Sequence, residues 1–431
     1  MPVMTNIVVI GAGVAGIQAA LDIAGHGVHV DLVEREPSIG GHMAQLDKTF
    51  PTNDCSMCIL SPKMVDVSRH PDITIHTCSE VERIEGETGN FRVTIKKHPR
   101  YINPVACTGC GDCIQICPVE VYNRFDAGVG VRKAIYKPHA QAVPDIVVKD
   151  PEHCIECGLC YDVCGPNAIL KTDEEVLQTI DAAGIVLTTG YEVFDARKKT
   201  PFNYLRLPDV ITSLELERMI NAGGPTGGKV KRLSDGREPR SIVFIQCVGS
   251  RDMTIGCPSC SCVCCMQALK NAILIREKNK EIDVTICYMD IRAYGKGYEE
   301  YFERAKSLGV RFLRGCPPRC LPMHGRAECA SRSRTRRPER SISSTRTSLS
   351  CRSASGPRRP APPLQRNWAL PARRTVSSGL QMMRLTRSRH SGRGSMLPGL
   401  QRLQGISRTA LPRDRQRRCG HGSMRSGQVS K

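Results

Sequence analysis

No apolar run in this chain approaches the roughly 20 residues that a membrane-spanning helix needs. The first apolar run, Ile7 to Ile10, is short, lacks a basic leader and flows directly into glycines. Neither a membrane span nor a secretory signal is therefore expected, and the reading is a cytoplasmic protein. Lysine and acidic residues almost vanish from Cys316 onward. That stretch holds 25 Arg, one Lys and three acids (Glu328, Glu339, Asp414), and its one aromatic is Trp368. The net charge of +20 is thus confined to the tail, because residues 1–315 sum to −3. Hydrophobic periodicity also stops there, directly after the strand-like Val310 to Gly315. A basic arm that contacts phosphates would have this charge. A shifted reading frame in a GC-rich gene would also exchange lysine for arginine abruptly in mid-fold. The second reading is adopted: residues 316–431 are expected to be a disordered tail, with no nucleic acid as partner.

Cysteine, by contrast, is abundant: 23 in 431 residues, the densest groups at ligand-like spacings. In a chain without a secretory leader such spacings point to metal rather than to disulfides. CTGCGDCIQICP and CIECGLCYDVCGP each have the spacing C-x2-C-x2-C-x3-C, the run of two-cluster ferredoxins. In that run three cysteines hold one 4Fe–4S cluster and the fourth reaches across to the other. One cluster would take Cys107, Cys110, Cys113 and Cys164; the second would take Cys154, Cys157, Cys160 and Cys117. Paired C-x2-C steps also ligate zinc, but zinc needs only four cysteines, and each run supplies a third step and a trailing cysteine.

Residues Asn6 to Val33 read strand, Gly11-Ala-Gly13-Val-Ala-Gly16, helix, strand, and Glu34 closes the second strand. This is a dinucleotide fingerprint in the context it requires. Gly11 makes the turn, Gly13 admits a pyrophosphate, Gly16 lets the helix pack on the strand, and Glu34 would hold a ribose hydroxyl. The fingerprint itself leaves FAD and NAD open. The following Glu34-Arg35 and Gly40-Gly41 resemble flavoproteins of the disulfide reductase class, where the glycine pair lies along diphosphate and flavin, so the resemblance favours FAD. Cys55 and Cys58 form an isolated C-x2-C, readable as a redox pair, as metal ligands or as core residues at a helix start. Cys78 is expected in the core. Residues Ile180 to Tyr191 read as a buried strand ending at Thr189-Gly190, similar to the segment that returns the chain to the flavin site, with Thr188 in place of the usual alanine.

A second strand–turn–helix–strand unit follows: Ser241 to Gln246, Val263 to Arg276, Ile282 to Met289. Its turn lacks the glycines that would admit a pyrophosphate and carries six cysteines instead. A nicotinamide nucleotide is not expected there in the usual way, and a third cluster is. Cys260 and Cys264, four apart, would share a helix face, while Cys264 and Cys265 could not. The expected ligands are Cys247, Cys260, Cys264 and Cys265, with Cys257 and Cys262 as spares; small core hydrophobes are the alternative.

Gly40 to Met64 (GGHMAQLDKTFPTNDCSMCILSPKM), the two ferredoxin runs, Leu233 to Gly236 (LSDG), Ile245 to Asp252 (IQCVGSRD), Cys260 to Met266 (CSCVCCM) and Met289 to Glu300 (MDIRAYGKGYEE) resemble the A subunit of heterodisulfide reductase. The resemblance covers residues 4–315. It implies an α/β, thioredoxin-reductase-like flavoprotein with two dinucleotide domains and an inserted two-cluster ferredoxin module. The expected divisions are residues 1–100 (FAD half), 101–170 (ferredoxin module), 171–235 (return and linker), 236–315 (second half) and the tail. It further implies FAD, several 4Fe–4S clusters, and partner subunits that include hydrogenase or formate dehydrogenase input subunits. In methanogenesis that family reduces the disulfide of coenzymes M and B, with flavin-based electron bifurcation as a further implication. The family's late Gly-Asp step toward the flavin is not found after residue 315. The alternative function is therefore an iron–sulfur relay scaffold without flavin turnover.

Overall fold

The computed structural model describes residues 6–255, 257–315, 317, 319–323, 326–330 and 375–376. Strand β1 (Ile7–Ile10) leads through the glycine turn to helix α1 (Val14–Ala24) and β2 (Val30–Val33). Helix α2 (Ser56–Arg69) and strands β3 (Ile73–His76), β4 (Ser79–Glu87) and β5 (Asn90–Lys97) follow. The ferredoxin segment holds two five-residue helices, α3 (Asp112–Ile116) and α4 (Leu159–Val163). Between them lie two short antiparallel pairs, β6 (Glu120–Tyr122) with β7 (Val131–Lys133) and β8 (Ile135–Tyr136) with β9 (Val148–Lys149). The chain then returns through β10 (Val176–Ala182), β11 (Gly184–Leu187) and β12 (Glu192–Val193) to α5 (Ser213–Ile220). The second half is β13 (Ser241–Ile245), α6 (Cys264–Lys278), β14 (Asp283–Tyr288), α7 (Tyr298–Ser307) and β15 (Arg311–Arg314).

The first half is a parallel sheet in the order β11-β1-β2-β3. Its central strands β1 and β2 are buried, as the middle of a parallel sheet covered on both faces requires. The segment Ile180 to Tyr191 is not one strand. It changes sheets at Ala183: β10 pairs antiparallel with β5, and β11 pairs parallel with β1. Strand-forming residues lie on both sides of the switch, and Asp181 interrupts the apolar run beside it. The antiparallel sheet β10-β5-β4 covers one face of the parallel sheet through Val8, Ile10, Val33, Val93, Ile95 and Ile180. Cys78 lies in the core at 8% exposure, as expected.

The second half is the parallel sheet β13-β14-β15, with α6 and α7 as crossovers. Helix α6 is buried along every residue from Cys264 to Ile275, not on one stripe alone. Its apolar positions pack on β14, α5 and α7, and its Lys270 reaches Glu217 of α5 and Lys48 of the first half. Helix α5 carries a capping box, Thr212 with Glu215.

Beyond residue 315 the described residues form only short pairings. Strands β16 (Arg319–Met323) and β17 (Arg326–Ala330) form an antiparallel hairpin, and Asn203 donates a side-chain hydrogen bond to the Cys320 carbonyl at 2.8 Å. A two-residue strand, β18 (Thr375–Val376), pairs with β12. Backbone pairing needs no side-chain periodicity, which is why composition did not reveal it. The remainder of the expected tail lies outside the described residues.

Candidate functional site

The glycine turn meets its steric demands. A Cβ on Gly16 would lie 1.9 Å from the Gly11 carbonyl oxygen, and one on Gly11, at φ +97°, would lie 2.5 Å from that of Thr188. Thr188, on the returning segment, locks the turn by donating its hydroxyl to the Gly11 carbonyl at 2.7 Å. Gly13 differs from both: a Cβ there would meet nothing within 4 Å. The first helical hydrogen bond runs from Ile17 N–H to Gly13 O, so the preceding N–H groups of α1 have no intrahelical acceptor. An open cradle, backbone donors and a positive helix end suit a pyrophosphate.

Gly40 and Gly41 pack on this turn. The Gly40 N–H donates to Ala12 O at 2.8 Å, and a Cβ on Gly41 would lie 3.1 Å from the Gly13 Cα. Glu34 is buried; its carboxylate accepts the N–H groups of Ala12 at 2.8 Å and Glu36 at 3.0 Å. Burial raises its pKa, against the pull of those two hydrogen bonds. Arg35 is half exposed and pairs with Glu36. Thr189 and Gly190 are exposed beyond β11, and Tyr191 stacks on His42 with ring centroids 4.6 Å apart. The glycine turn, the glycine pair and the returning segment thus meet in one place.

The eight ferredoxin cysteines divide between two cavities. One is lined by Cys107, Cys110, Cys113 and Cys164; the other is lined by Cys117, Cys154, Cys157 and Cys160. Each three-cysteine loop is turned by a glycine at positive φ, Gly111 or Gly158, and the cysteine that caps the end of each short helix, Cys117 or Cys164, lines the opposite cavity. Burial, then the charges of the Cys110, Cys107 and Cys164 thiolates, push the Cys113 thiol up to about 12 without metal. Four sulfurs converging in an apolar cage fit a 4Fe–4S cube.

The module is an insert with paired ends. Asn103 N–H donates to Ala168 O at 2.7 Å, and Leu170 N–H to Tyr101 O at 2.9 Å. It also lies directly on the flavin half: Ile39, beside Gly40, donates its N–H to Val143 O at 2.9 Å, and Gln45 reaches Phe125 O at 2.8 Å.

In the second half, Cys247, Cys264 and Cys265 are in contact, with Cys260 within Coulombic reach of Cys247 and Cys264. Cys264 is held low by hydrogen bonds from the Cys247 and Cys265 thiols, which are raised in turn. One thiolate already stabilised by two thiols is a donor set suited to a cluster. The shared helical face expected for Cys260 and Cys264 does not form, because α6 begins at Cys264 and Cys260 lies in the bend before it. Cys264 and Cys265 are both buried all the same. Of the spares, Cys262 is exposed and Cys257 bridges back to Asp252.

Cys55 and Cys58 are exposed at the start of α2, not in the core. Cys55 caps the helix, its sulfur accepting the Cys58 N–H at 3.3 Å, and hydrogen bonding from Cys58 lowers its pKa. Two buried lysines escaped sequence reasoning. Lys270 on α6 donates to Glu217 on α5 and to Lys48 O; Lys149 on β9 lines the second cysteine cavity. A charged residue inside an apolar stripe was the available signal for Lys270, whereas a lysine at a short strand gave none for Lys149. Among the described residues no helix is long and apolar enough to cross a membrane.

Comparison with known proteins agrees with this geometry. Residues 106–169 match the family described as 4Fe-4S dicluster domain, and residues 6–55 match that described as FAD dependent oxidoreductase. The chain is 55% identical over 310 residues to the iron-sulfur A subunit of the CoB–CoM heterodisulfide reductase of Methanocaldococcus jannaschii, covering 72% of this chain and 47% of that one. It is 58% identical over 310 residues to the second iron-sulfur A subunit of the CoB–CoM heterodisulfide reductase of Methanopyrus kandleri, with the same coverage. It is 54% identical over 310 residues to the A subunit of the H(2)/formate:CoB-CoM heterodisulfide,ferredoxin reductase of Methanococcus maripaludis, again at 72% and 47%. The chain thus spans about half the length of the curated relatives it matches. In sequence it is a relative of the A subunits of CoB–CoM heterodisulfide reductases, and its cofactors are FAD and 4Fe–4S clusters.

Proposed function

We propose that this chain transfers electrons as one oxidoreductase component of a heterodisulfide-reductase-type complex. The observation that carries the reading is the direct seating of the ferredoxin module on the glycine-pair loop through Ile39 and Val143. Gly11, Gly13 and Gly16 would cradle the FAD pyrophosphate, with Gly40, Gly41, Thr189 and Gly190 beside the ring system and Glu34 at the ribose. Arg35 would stay at the solvent edge. Bound there, FAD supplies conversion between electron pairs and single electrons. Cys107, Cys110, Cys113 and Cys164 would hold one 4Fe–4S cluster, Cys117, Cys154, Cys157 and Cys160 the second, and Cys247, Cys260, Cys264 and Cys265 a third. Cys113 is buried while Cys110 and Cys157 are exposed, and the thiols lose their protons when iron enters. Other subunits of the complex, including hydrogenase or formate dehydrogenase input subunits, would deliver electrons, and division of the pair between two acceptors would make the site bifurcating.

The test is anaerobic reconstitution followed by flavin, iron and sulfide quantification on one sample. Flavin and iron retained together through gel filtration is the expected result. Iron without flavin would instead favour a relay scaffold, the reading suggested by the missing late Gly-Asp step.

A further inference from the structure

The two ferredoxin cavities differ electrically. The cavity of Cys117, Cys154, Cys157 and Cys160 is lined also by Lys149, which is only 4% exposed. Its ammonium donates to the Tyr161 hydroxyl at 3.3 Å and lies 5.3 Å and 5.6 Å from the Tyr101 and Tyr161 ring centroids. Its charge reaches the Cys154 and Cys160 sulfurs. No carboxylate pairs with Lys149 among the described residues. The other charged residue lining this cavity is Glu156, which is exposed. The cavity of Cys107, Cys110, Cys113 and Cys164 has no lining cation, and its one lining acid, Asp112, is exposed.

Water screens the exposed acids but not a buried ammonium. Reduction of a 4Fe–4S cluster adds one negative charge, and a fixed cation nearby stabilises that charge; local charge is among the factors that set cluster potentials. We propose that Lys149 makes the cluster of Cys117, Cys154, Cys157 and Cys160 the easier of the two to reduce. A single electron entering the module would then pass from the reduced first cluster to the oxidised second and remain there, with no bond made and no proton moved. Lys149 acts here as a positioning residue for charge and is not a ligand. The proposal rests on the reading that both cavities hold 4Fe–4S clusters.

The experiment is an EPR-monitored redox titration of the reconstituted full chain, with iron and sulfide measured on the same samples. Unaltered iron content separates an unmoved potential from a lost cluster. Lys149→Met, of similar length and no charge, should shift one midpoint to lower potential and leave the other in place. The signal that moves should be the one lost in Cys157→Ala. Lys149→Arg should keep the original midpoint. If Lys149→Met does not load iron, Lys149→Gln gives the same reading with a polar donor retained. Two unmoved midpoints, an equal shift of both, a shift confined to the other cluster, or an arginine variant that shifts like methionine would each overturn the proposal.

Discussion

The Lys270 ammonium donates to the Glu217 carboxylate at 2.5 Å, and neither side chain is more than 1% exposed. The pair joins α6, which begins with Cys264 and Cys265, to α5. Lys270 also holds Lys48 O at 3.0 Å, and Glu217 accepts the Asp47 N–H at 3.3 Å. The cysteine helix is thereby fastened to the loop that follows the glycine pair.

Removing one partner strands a buried charge. Glu217→Ala should cost about 3–5 kcal/mol of stability, read from the midpoint of chemical unfolding. Lys270→Met combined with Glu217→Leu should recover part of that loss, since no buried charge is left unpaired while Lys48 O, the Asp47 N–H and the Gln267 amide lose their partners. Equal destabilisation of single and double variants would refute this account.

The fingerprint glycines should separate binding from folding. Gly13→Ala has open space and an ordinary φ of −72°, so its melting temperature should match that of the flavin-free parent while flavin binding is lost. Gly16→Ala drives a methyl into the Gly11 carbonyl and should lose both. Circular dichroism melts and flavin absorbance of the same samples distinguish the two.

The six cysteines of the second half should not be equivalent. Cys264→Ser should remove about four iron atoms, the content of one cluster. Cys257→Ser and Cys262→Ser should keep the parent iron content. Iron loss in the last two and not in the first would move the ligand set.

Stability should also carry the signature of one histidine. His139 is pushed down to about 4 by burial and then by the charge of Arg218, while its ordinary value is 6.5. The folded value lies below the unfolded one, so the unfolded chain binds the proton first. Stability should therefore fall as pH drops from about 6.5 toward 4 and level off below. His139→Phe, which keeps the stack on Phe125 (centroids 5.0 Å apart in the parent), should flatten that part of a stability–pH profile. An unchanged slope would assign it to other groups.

Much of this was legible from spacing because the chemistry tolerates little variation. A glycine turn must have its glycines at fixed steps, and three cysteines for one cube must lie close in sequence. The returning segment was legible through the resemblance of Thr189-Gly190 to that of flavoproteins, whereas the lock that Thr188 makes on the turn was not, since Thr188 stood there as a departure. The sheet switch at Ala183 was not legible, since strand-forming residues flank it on both sides and Asp181 gives the break no distinct signature. The face expected for Cys260 and Cys264 failed because Cys260 precedes the helix, whose start the sequence marks to within one residue (Val263 expected, Cys264 found). Lys270 and Glu217 lie 53 residues apart, and nothing local ties one to the other.

Residues 101–103 and 168–170 lie side by side where the ferredoxin module leaves and re-enters the chain. An insertion whose ends meet adds no span for its host to bridge, and its removal opens no gap. Such a unit could be acquired, exchanged or lost in evolution in a single event, with the surrounding nucleotide fold left to close over a short turn. The same geometry offers a practical graft point, where another cluster-bearing loop with adjacent ends could take its place.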